Sequence, residues 1–432
     1  MKNVIIKKIT PPIDQKIFLP PSKSITLRDY FIAGLTQGKS LIINPGSSDD
    51  CTGMKKALKK IGVGFKKSSQ KGYKVFGKDV SLQKGQKKVF LGGSGVSARF
   101  LIALALLRKD WTILDGDQSL RKRPQHYLLN LIKKMGARVK ARKKGFLPVE
   151  IKGGEIKENQ VSMKGDLSSQ YFSALILIAP LLPEGLKLKV IGDLVSKPYI
   201  DITVNEMKKF GVKVKNKDYQ EFIIKPQKYK PTKVKVEGDA SAASYFMALA
   251  TVLGGKVVLK NLGSKSKQGD VNFYKICTQL GAKIIIKSDQ IEIIQKKNQK
   301  LPALNNPVNL EAIPDTAQTL MAIAPLIPGK TKITGLQTLR IKECDRISAP
   351  ATELKKLKVP VKEGKNWIEI GEKKDFSDID LNKISINTYN DHRMAMSFAV
   401  LGAKIGNLKI NNPDCVKKTF PGFWEVLAGF YV

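Results

Sequence analysis

Two periods of apolar spacing alternate along this chain in a fixed order. A stretch with apolar residues three and four apart ends in a polar pair, then a glycine and a small apolar residue, and a short alternating stretch follows. The sequence reads Lys59-Lys60-Ile61-Gly62-Val63, Lys133-Lys134-Met135-Gly136-Ala137, Lys208-Lys209-Phe210-Gly211-Val212 and Thr278-Gln279-Leu280-Gly281-Ala282. It returns as Lys355-Lys356-Leu357-Lys358-Val359, where the glycine is lost, and weakly as Val426-Leu427-Ala428-Gly429-Phe430. The first period predicts helices and the second strands. The glycine fits a helix C-cap, where a positive φ is required.

The anchors at 62, 136, 211, 281, 358 and 429 lie 70 to 77 residues apart. So long a period means six copies of one supersecondary unit, each with about two helices and three or four strands. At 432 residues the chain exceeds the size at which single cores stop growing, so two domains of three units are expected. The break is placed near Glu237-Gly238-Asp239. Assigning the first strand to the second half requires another crossing near Leu19-Pro20-Pro21. The expected division is residues 1–19 with 240–432 as one discontinuous domain, and 20–239 as an inserted one. Clefts between domains favour active sites.

Charge changes this picture little. A formal net charge of +39 at pH 7 invites a nucleic-acid reading. The lysines, however, are dispersed over amphipathic segments, with no zinc-finger spacing or aromatic RNA-binding signature, so no specific nucleic-acid partner is expected. No apolar run reaches the length of a membrane span, and the opening residues through Ile9 read as a strand rather than a targeting segment. Cys51, Cys277, Cys344 and Cys415 show neither metal nor redox spacing. A reduced, cytoplasmic setting is the expectation.

Candidate chemistry gathers at helix starts, whose unpaired N–H groups attract anions. Pro20-Pro21 precedes Ser22-Lys23-Ser24 and Arg28, with Ser22 or Ser24 as cap. Leu91-Gly92-Gly93-Ser94-Gly95 runs into a helix that contains Arg99, without the Lys-Ser/Thr ending of a Walker loop. Arg121-Lys122-Arg123 precedes Pro124, which holds Arg123 extended. Gly165 to Gln170 and Ser196 to Asp201 add Ser168, Ser169, Gln170 and Tyr199. Gly238 to Ser244 reads as a structural cap, Asp315 stands at the cap or first turn of another helix, and His392-Arg393 and Lys418 complete the set. Within Ile341-Lys342-Glu343-Cys344-Asp345-Arg346, a helix would put Lys342 and Arg346 on one face with Glu343 beside them, an anion site edged by an acid/base group.

These motifs resemble those of the 5-enolpyruvylshikimate-3-phosphate (EPSP) synthase family over nearly the whole chain. The most specific pieces are Ser22-Lys23-Ser24, Leu120 to Pro124, Gly192 to Asp201, Glu237 to Ser241, Lys342-Glu343 with Asp345-Arg346, and Tyr389 to Met396. The resemblance implies an α/β fold of two similar domains, each of three βαβαββ units around a pseudo-threefold axis (an inside-out α/β barrel). It implies an active site in the interdomain cleft. It also implies transfer of the enolpyruvyl group of phosphoenolpyruvate to the 5-hydroxyl of shikimate 3-phosphate by a monomer without metal or organic cofactor. Each substrate carries a phosphate and a carboxylate. Two unit charges about 4 Å apart at an effective dielectric near 20 interact by roughly 4 kcal/mol. Fixed cations are therefore needed, and electrostatic preorganisation is the expected main catalytic effect.

Residue by residue, the resemblance gives Lys23 a contact to both substrates. It assigns Ser24, Arg28, Ser168, Ser169, Gln170, Ser196, Tyr199, Asp315, Thr338 and Lys342 to shikimate 3-phosphate. Gly95, Arg123, Gln170, Arg346, Arg393 and Lys418 go to phosphoenolpyruvate. Asp315 matches the base for the attacking hydroxyl, and Glu343 the acid that protonates the methylene carbon and later removes a proton from it. Lys23 completes the catalytic set. Gly93, Val96 and Phe100 stand where the family often has Asn, Thr and Pro, Thr338 where many members have Asn, and Cys344 where Thr or Ser is usual. These departures bear on phosphoenolpyruvate affinity and glyphosate sensitivity; Cys344 is read as packing. The nearest alternative is the UDP-N-acetylglucosamine enolpyruvyl transferase family. Most of its members carry a Cys in the loop matching Asp110 to Pro124, where this chain has none.

Overall fold

A computed structural model describes residues 2–79, 83–143, 145–373 and 375–431. The chain divides into two compact units, Met1–Pro20 with Gly238–Val432, and Pro21–Glu237. The opening strand is Asn3–Ile6.

Six sheets are formed by the described residues, five of four strands and one of three. The four-stranded sheets share one recipe: a parallel pair, then two antiparallel steps. In the inserted unit, Lys87–Phe90 runs parallel to Thr112–Asp115, which pairs antiparallel with Phe146–Lys152, which pairs antiparallel with Arg138–Lys143. Gln160–Lys164 and Lys233–Lys235 open the other two sheets of that unit. In the discontinuous unit, Ile13–Phe18 runs parallel to Gly255–Lys260, and Val308–Asn309 to Lys330–Thr334. The three-stranded sheet is completed across the full length of the chain. Asn3–Ile6 pairs antiparallel with Leu408–Asn411, with Val4 opposite Ile410.

Five of the six repeat anchors are helix caps of one geometry. Gly62, Gly136, Gly211, Gly281 and Lys358 all have positive φ. Each is flanked by the two hydrogen bonds of a Schellman motif, as in Gly62 N–H to Lys59 C=O at 3.0 Å and Val63 N–H to Leu58 C=O at 3.1 Å. The sixth anchor differs: Gly429 is right-handed, with φ −63°. Among the described residues it is not followed by a strand, unlike the other five anchors.

Two kinds of helix alternate. Asp49–Lys60, His126–Lys134, Lys197–Lys209 and Ser348–Lys356 bury one stripe and end in lysines. Lys23–Leu35, Gly95–Ala105 and Ser169–Ile178 are buried almost all round in the inserted unit. Ala240–Leu253, Ala317–Ile323 and His392–Ile405 are buried likewise in the other. A helix apolar on all sides belongs in a core. Each unit has its own core, with Phe31, Phe100 and Phe172 in one and Tyr245, Phe246 and Phe398 in the other. Phe100 fills a place between the Phe31 ring, 5.2 Å away, and the Arg28 guanidinium, 5.6 Å away. Among the described residues no helix is long and apolar enough to cross a membrane.

Candidate active site

The inner helices begin at the motifs that carry polar chemistry. Ser22, Ser94 and Ser168 cap the three of the inserted unit, accepting from the N–H groups of Ile25, Ser97 and Gln170. Asp239 and Asp391 cap two in the other unit, accepting from Ala242 and Arg393 at 2.9 Å each. Asp315 lies in the short 3-10 turn Pro314–Thr316 that leads into Ala317–Ile323. The cap places the polar side chain, and the buried helix behind it holds that position.

In the inserted unit, Arg28 ties three helices together. Its Nε donates to Thr203 Oγ1 at 2.8 Å, its Nη1 to Ser24 C=O at 2.8 Å and its Nη2 to Tyr199 C=O at 3.1 Å. Thr203 Oγ1 also lies 2.8 Å from Ser173 Oγ on a third helix. Burial pulls the Arg28 pKa down to about 10, which leaves it charged at neutral pH. Arg28 thus lies beneath the site surface and sets the places of Ser24 and Tyr199. Ser196 stands just before Lys197–Lys209 in the left-handed region, φ 56°, where a non-glycine residue is strained. Lys23 pairs with Asp50 at 3.4 Å, both largely out of water.

The basic triplet separates into different roles. Arg121 is exposed and pairs with Asp115, Lys122 is exposed, and Arg123 is buried. Arg123 meets the start of the helix Gly95–Ala105. A Cβ on Gly95 would overlap Arg99 Nη1 and come within 3.0 Å of Arg123 Nη1. The missing side chain lets two guanidinium groups reach one helix start. Arg99, buried and lying over the Tyr171 ring at 5.4 Å, is a site candidate that sequence reasoning passed over.

In the discontinuous unit the segment after Leu339–Ile341 is an irregular turn, not the helix considered from sequence. Asp345 Oδ1 accepts from the N–H groups of Ile347 and Ser348, and its Oδ2 from Arg340 Nη1 at 2.6 Å. Those bonds mark the start of Ser348–Lys356 and keep the preceding residues out of it. Lys342 and Arg346 therefore share no helical face. Glu343 nonetheless reaches Arg346, with Nη2 to Oε2 at 2.7 Å.

Arg346 is the hub of this unit. It donates from Nε to Asp391 Oδ2 at 2.6 Å and from Nη1 to Asp315 Oδ1 at 3.1 Å. Burial alone would lower its pKa, but Asp391 and Glu343 outweigh burial and hold it above the ordinary value. Arg393 Nη2 donates to the other Asp315 oxygen at 2.7 Å, and Lys418 Nζ lies 3.9 Å from Glu343 Oε1. Removal from water pulls Lys342 below its usual pKa, with Asp315 opposing. Thr338 is buried at the start of Leu339–Ile341. Burial and the nearby Asp391 carboxylate raise the Cys344 thiol pKa, so it stays a thiol and packs 3.4 Å from Asp391. His392 is buried with Nδ1 3.4 Å from Asp391. Two residues outside the sequence-derived set belong to this cluster. They are Asp391, which orients Arg346, and Asp270, to which Ser241 donates a hydrogen bond.

The structure thus brings Asp315, Glu343, Arg346, Arg393 and Lys418 into one linked cluster. In the other unit it links Ser24, Arg28 and Tyr199, and sets Gly95 beside Arg123. Carboxylates held between arginines can exchange those partners for a substrate's anionic groups, and a carboxylate so released can take or give a proton.

Comparison with known proteins finds relatives over nearly the whole chain. The EPSP synthase (3-phosphoshikimate 1-carboxyvinyltransferase) family model matches residues 7–427. A 3-phosphoshikimate 1-carboxyvinyltransferase of Buchnera aphidicola subsp. Cinara cedri is 38% identical over 431 residues, 98% of this chain and 97% of that protein. The protein of the same name from Escherichia coli (strain K12 / DH10B) is 38% identical over 421 residues, 96% of each chain. Among solved structures, EPSP synthase from Acinetobacter baumannii aligns with a TM-score of 0.79 at 25% identity, covering 98% of this chain and 97% of that one. The enolpyruvyl transferase NikO from Streptomyces tendae shares the fold, with a TM-score of 0.75 at 12% identity over 99% and 97% of the two chains. Over nearly its whole length, this chain belongs to the EPSP synthase family.

Proposed function

We propose that this chain joins phosphoenolpyruvate to the 5-hydroxyl of shikimate 3-phosphate and releases phosphate, a step of the shikimate pathway toward chorismate and the aromatic amino acids. The observation that carries the reading is the shared ion pairing of Arg346 with Asp315, Glu343 and Asp391. A carboxylate arriving at Arg346 and Arg393 competes with Asp315 and Glu343. Asp391, fully buried behind the guanidinium, stays in place.

Arg346, Arg393 and Lys418 then take phosphoenolpyruvate together with Gly95, Arg123, Gln170 and Lys23. Ser24, Arg28, Ser168, Ser169, Ser196, Tyr199, Thr338 and Lys342 take shikimate 3-phosphate, with Gln170 and Asp315 beside it and Lys23 touching both substrates. Arg28 contributes by holding Ser24 and Tyr199 as well as by its charge. Asp315 accepts the proton of the 5-hydroxyl as its oxygen bonds to the second carbon of phosphoenolpyruvate, and Glu343 protonates the methylene carbon. In the reverse sense Glu343 removes a proton from the resulting methyl group, the double bond re-forms and phosphate leaves. Each compact unit is taken as one domain of three repeats, and the working form as a cytoplasmic monomer.

The test is phosphate release from phosphoenolpyruvate with shikimate 3-phosphate as acceptor and UDP-N-acetylglucosamine as control. Release with shikimate 3-phosphate alone is expected. Turnover only with the sugar nucleotide would overturn the reading.

A further inference from the structure

Arg393 Nη2 faces two carboxyl groups, one directly and one through a hydroxyl. It donates to Asp315 Oδ2 at 2.7 Å and to Ser241 Oγ at 3.4 Å, and Ser241 in turn donates to Asp270 Oδ2. Asp270 lies on the 3-10 turn Gly269–Asn272 and is almost fully buried. Its surroundings are well defined. The helix Ala240–Leu253 brings Ser241 and its capping Asp239, the turn Pro314–Thr316 brings Asp315, and His392–Ile405 brings Arg393. On the adjoining helix Phe273–Gln279 the one lysine, Lys275, is exposed to water. Asp270 is absent from the residues that motif reasoning singled out.

We propose that Asp270 is a positioning residue for phosphoenolpyruvate binding. As a neutral acid it steadies Ser241 and leaves the charge of Arg393 to the substrate carboxylate. As an anion it draws that charge toward itself. The inference rests on the enolpyruvyl-transfer reading given above.

Burial first, and then the charge of Asp315, push the Asp270 carboxyl up to about 7, while the hydrogen bond from Ser241 opposes them. The sign of the effect follows. Below that value Asp270 is neutral and adds no anion to Asp315 and Asp391 beside Arg393. Above it Asp270 becomes a further anion drawing on Arg393 before the substrate arrives. The KM for phosphoenolpyruvate should therefore rise through neutrality by more than the titration of the substrate phosphate accounts for. A coupling equivalent to one pKa unit makes that rise roughly tenfold.

The experiment measures KM for phosphoenolpyruvate and kcat across the neutral range for wild type, Asp270→Asn and Ser241→Ala. Asp270→Asn cannot ionise and should lack the extra rise in KM. Ser241→Ala removes a hydrogen bond that favours the anion, so its rise should move to higher pH. A merely structural Asp270 would change kcat or yield without changing the shape of the KM profile. Profiles of wild-type shape in both variants overturn the proposal. Infrared difference spectra of protein with 13C-labelled aspartate give a readout independent of turnover. The part of the protonated carboxyl band that is missing from Asp270→Asn should be present below pH 7, be lost above it, and move alkaline in Ser241→Ala. If wild type released no phosphate, the activity reading would fail, and this band would still decide the state of Asp270. A band unmoved in Ser241→Ala would count against the proposal even if Asp270→Asn did not fold.

Discussion

Arg346 and Asp391, 45 residues apart, form a two-pronged buried ion pair, Nε to Oδ2 at 2.6 Å and Nη2 to Oδ1 at 3.2 Å. Asp391 also caps His392–Ile405 by accepting from Arg393 N–H at 2.9 Å. One carboxylate thus orients one arginine through its side chain and places the other through its helix.

Asp391→Asn should separate these duties. The amide keeps an oxygen for the cap but gives up the charge and one of the two prongs. Breaking a buried pair by removing one partner costs about 3–5 kcal/mol. A loss of that order is expected in urea unfolding, together with a large fall in kcat/KM for phosphoenolpyruvate. Wild-type kinetics would show that Arg346 does not need Asp391 to hold its place.

Glu343→Gln should preserve binding and remove most turnover, by roughly 10²–10⁴-fold if Glu343 is the proton carrier. Because Glu343 is itself a partner of Arg346 and Lys418, neutralising it removes an internal competitor. Titration calorimetry should therefore find phosphoenolpyruvate bound no more weakly than in wild type. Turnover at the wild-type rate would refute the assignment.

The helix Lys23–Leu35 carries a second buried carboxyl pair. Asp29 is fully buried and feels the charge of Glu206, which Lys209 contacts at 2.8 Å. Burial, and then Glu206, raise Asp29 well above the usual carboxylate range. The folded protein keeps that proton where an unfolded Asp, with a pKa of about 3.9, has released it. The associated stability is complete below about pH 4 and declines as pH rises through the folded value. Asp29→Asn has no such proton to lose. Its urea midpoint should fall less steeply with rising pH and exceed that of wild type at neutrality; parallel curves would sink the idea.

Lys358 occupies the left-handed cap position that glycine holds in four equivalent places, with φ 54°. The left-handed conformation costs an ordinary L-residue roughly 1–2 kcal/mol, partly offset in glycine by its looser unfolded chain. The Lys358 contact with Asp378, 3.4 Å long and exposed, adds little. Lys358→Gly should raise stability by about 0.5–1 kcal/mol, read as a small increase in Tm. A decrease would mean that the exposed contacts of Lys358 outweigh the strain.

These cases show which parts were legible in the sequence. The cap repeat was, because a Schellman motif needs only local residues in fixed order. The helix starts at Ser22, Ser168 and Asp315 were, because caps and apolar runs are also local. The turn at Lys342 to Arg346 was not. Its shape comes from Asp345 bonding forward to Ile347 and Ser348, and from Arg340 reaching the Lys365 carbonyl at 2.9 Å. Asp270 and Arg99 were hidden for a related reason. Their meaning depends on Ser241 in one case and on the absent side chain of Gly95 in the other, partners that no spacing rule connects to them. Arg28 was found by motif, but its bonds to Thr203 and Tyr199 cross about 170 residues and only folding reveals them.

The strand Asn3–Ile6 has its hydrogen-bonding partner at Leu408–Asn411. During synthesis that strand must therefore wait, without this partner, until roughly 400 further residues have been made. The inserted unit Pro21–Glu237 includes every strand of its three sheets and is finished long before then. The discontinuous unit, whose two segments flank the inserted one in sequence, is completed later. Until then its Asn3–Ile6 segment depends on protection from misfolding while translation proceeds.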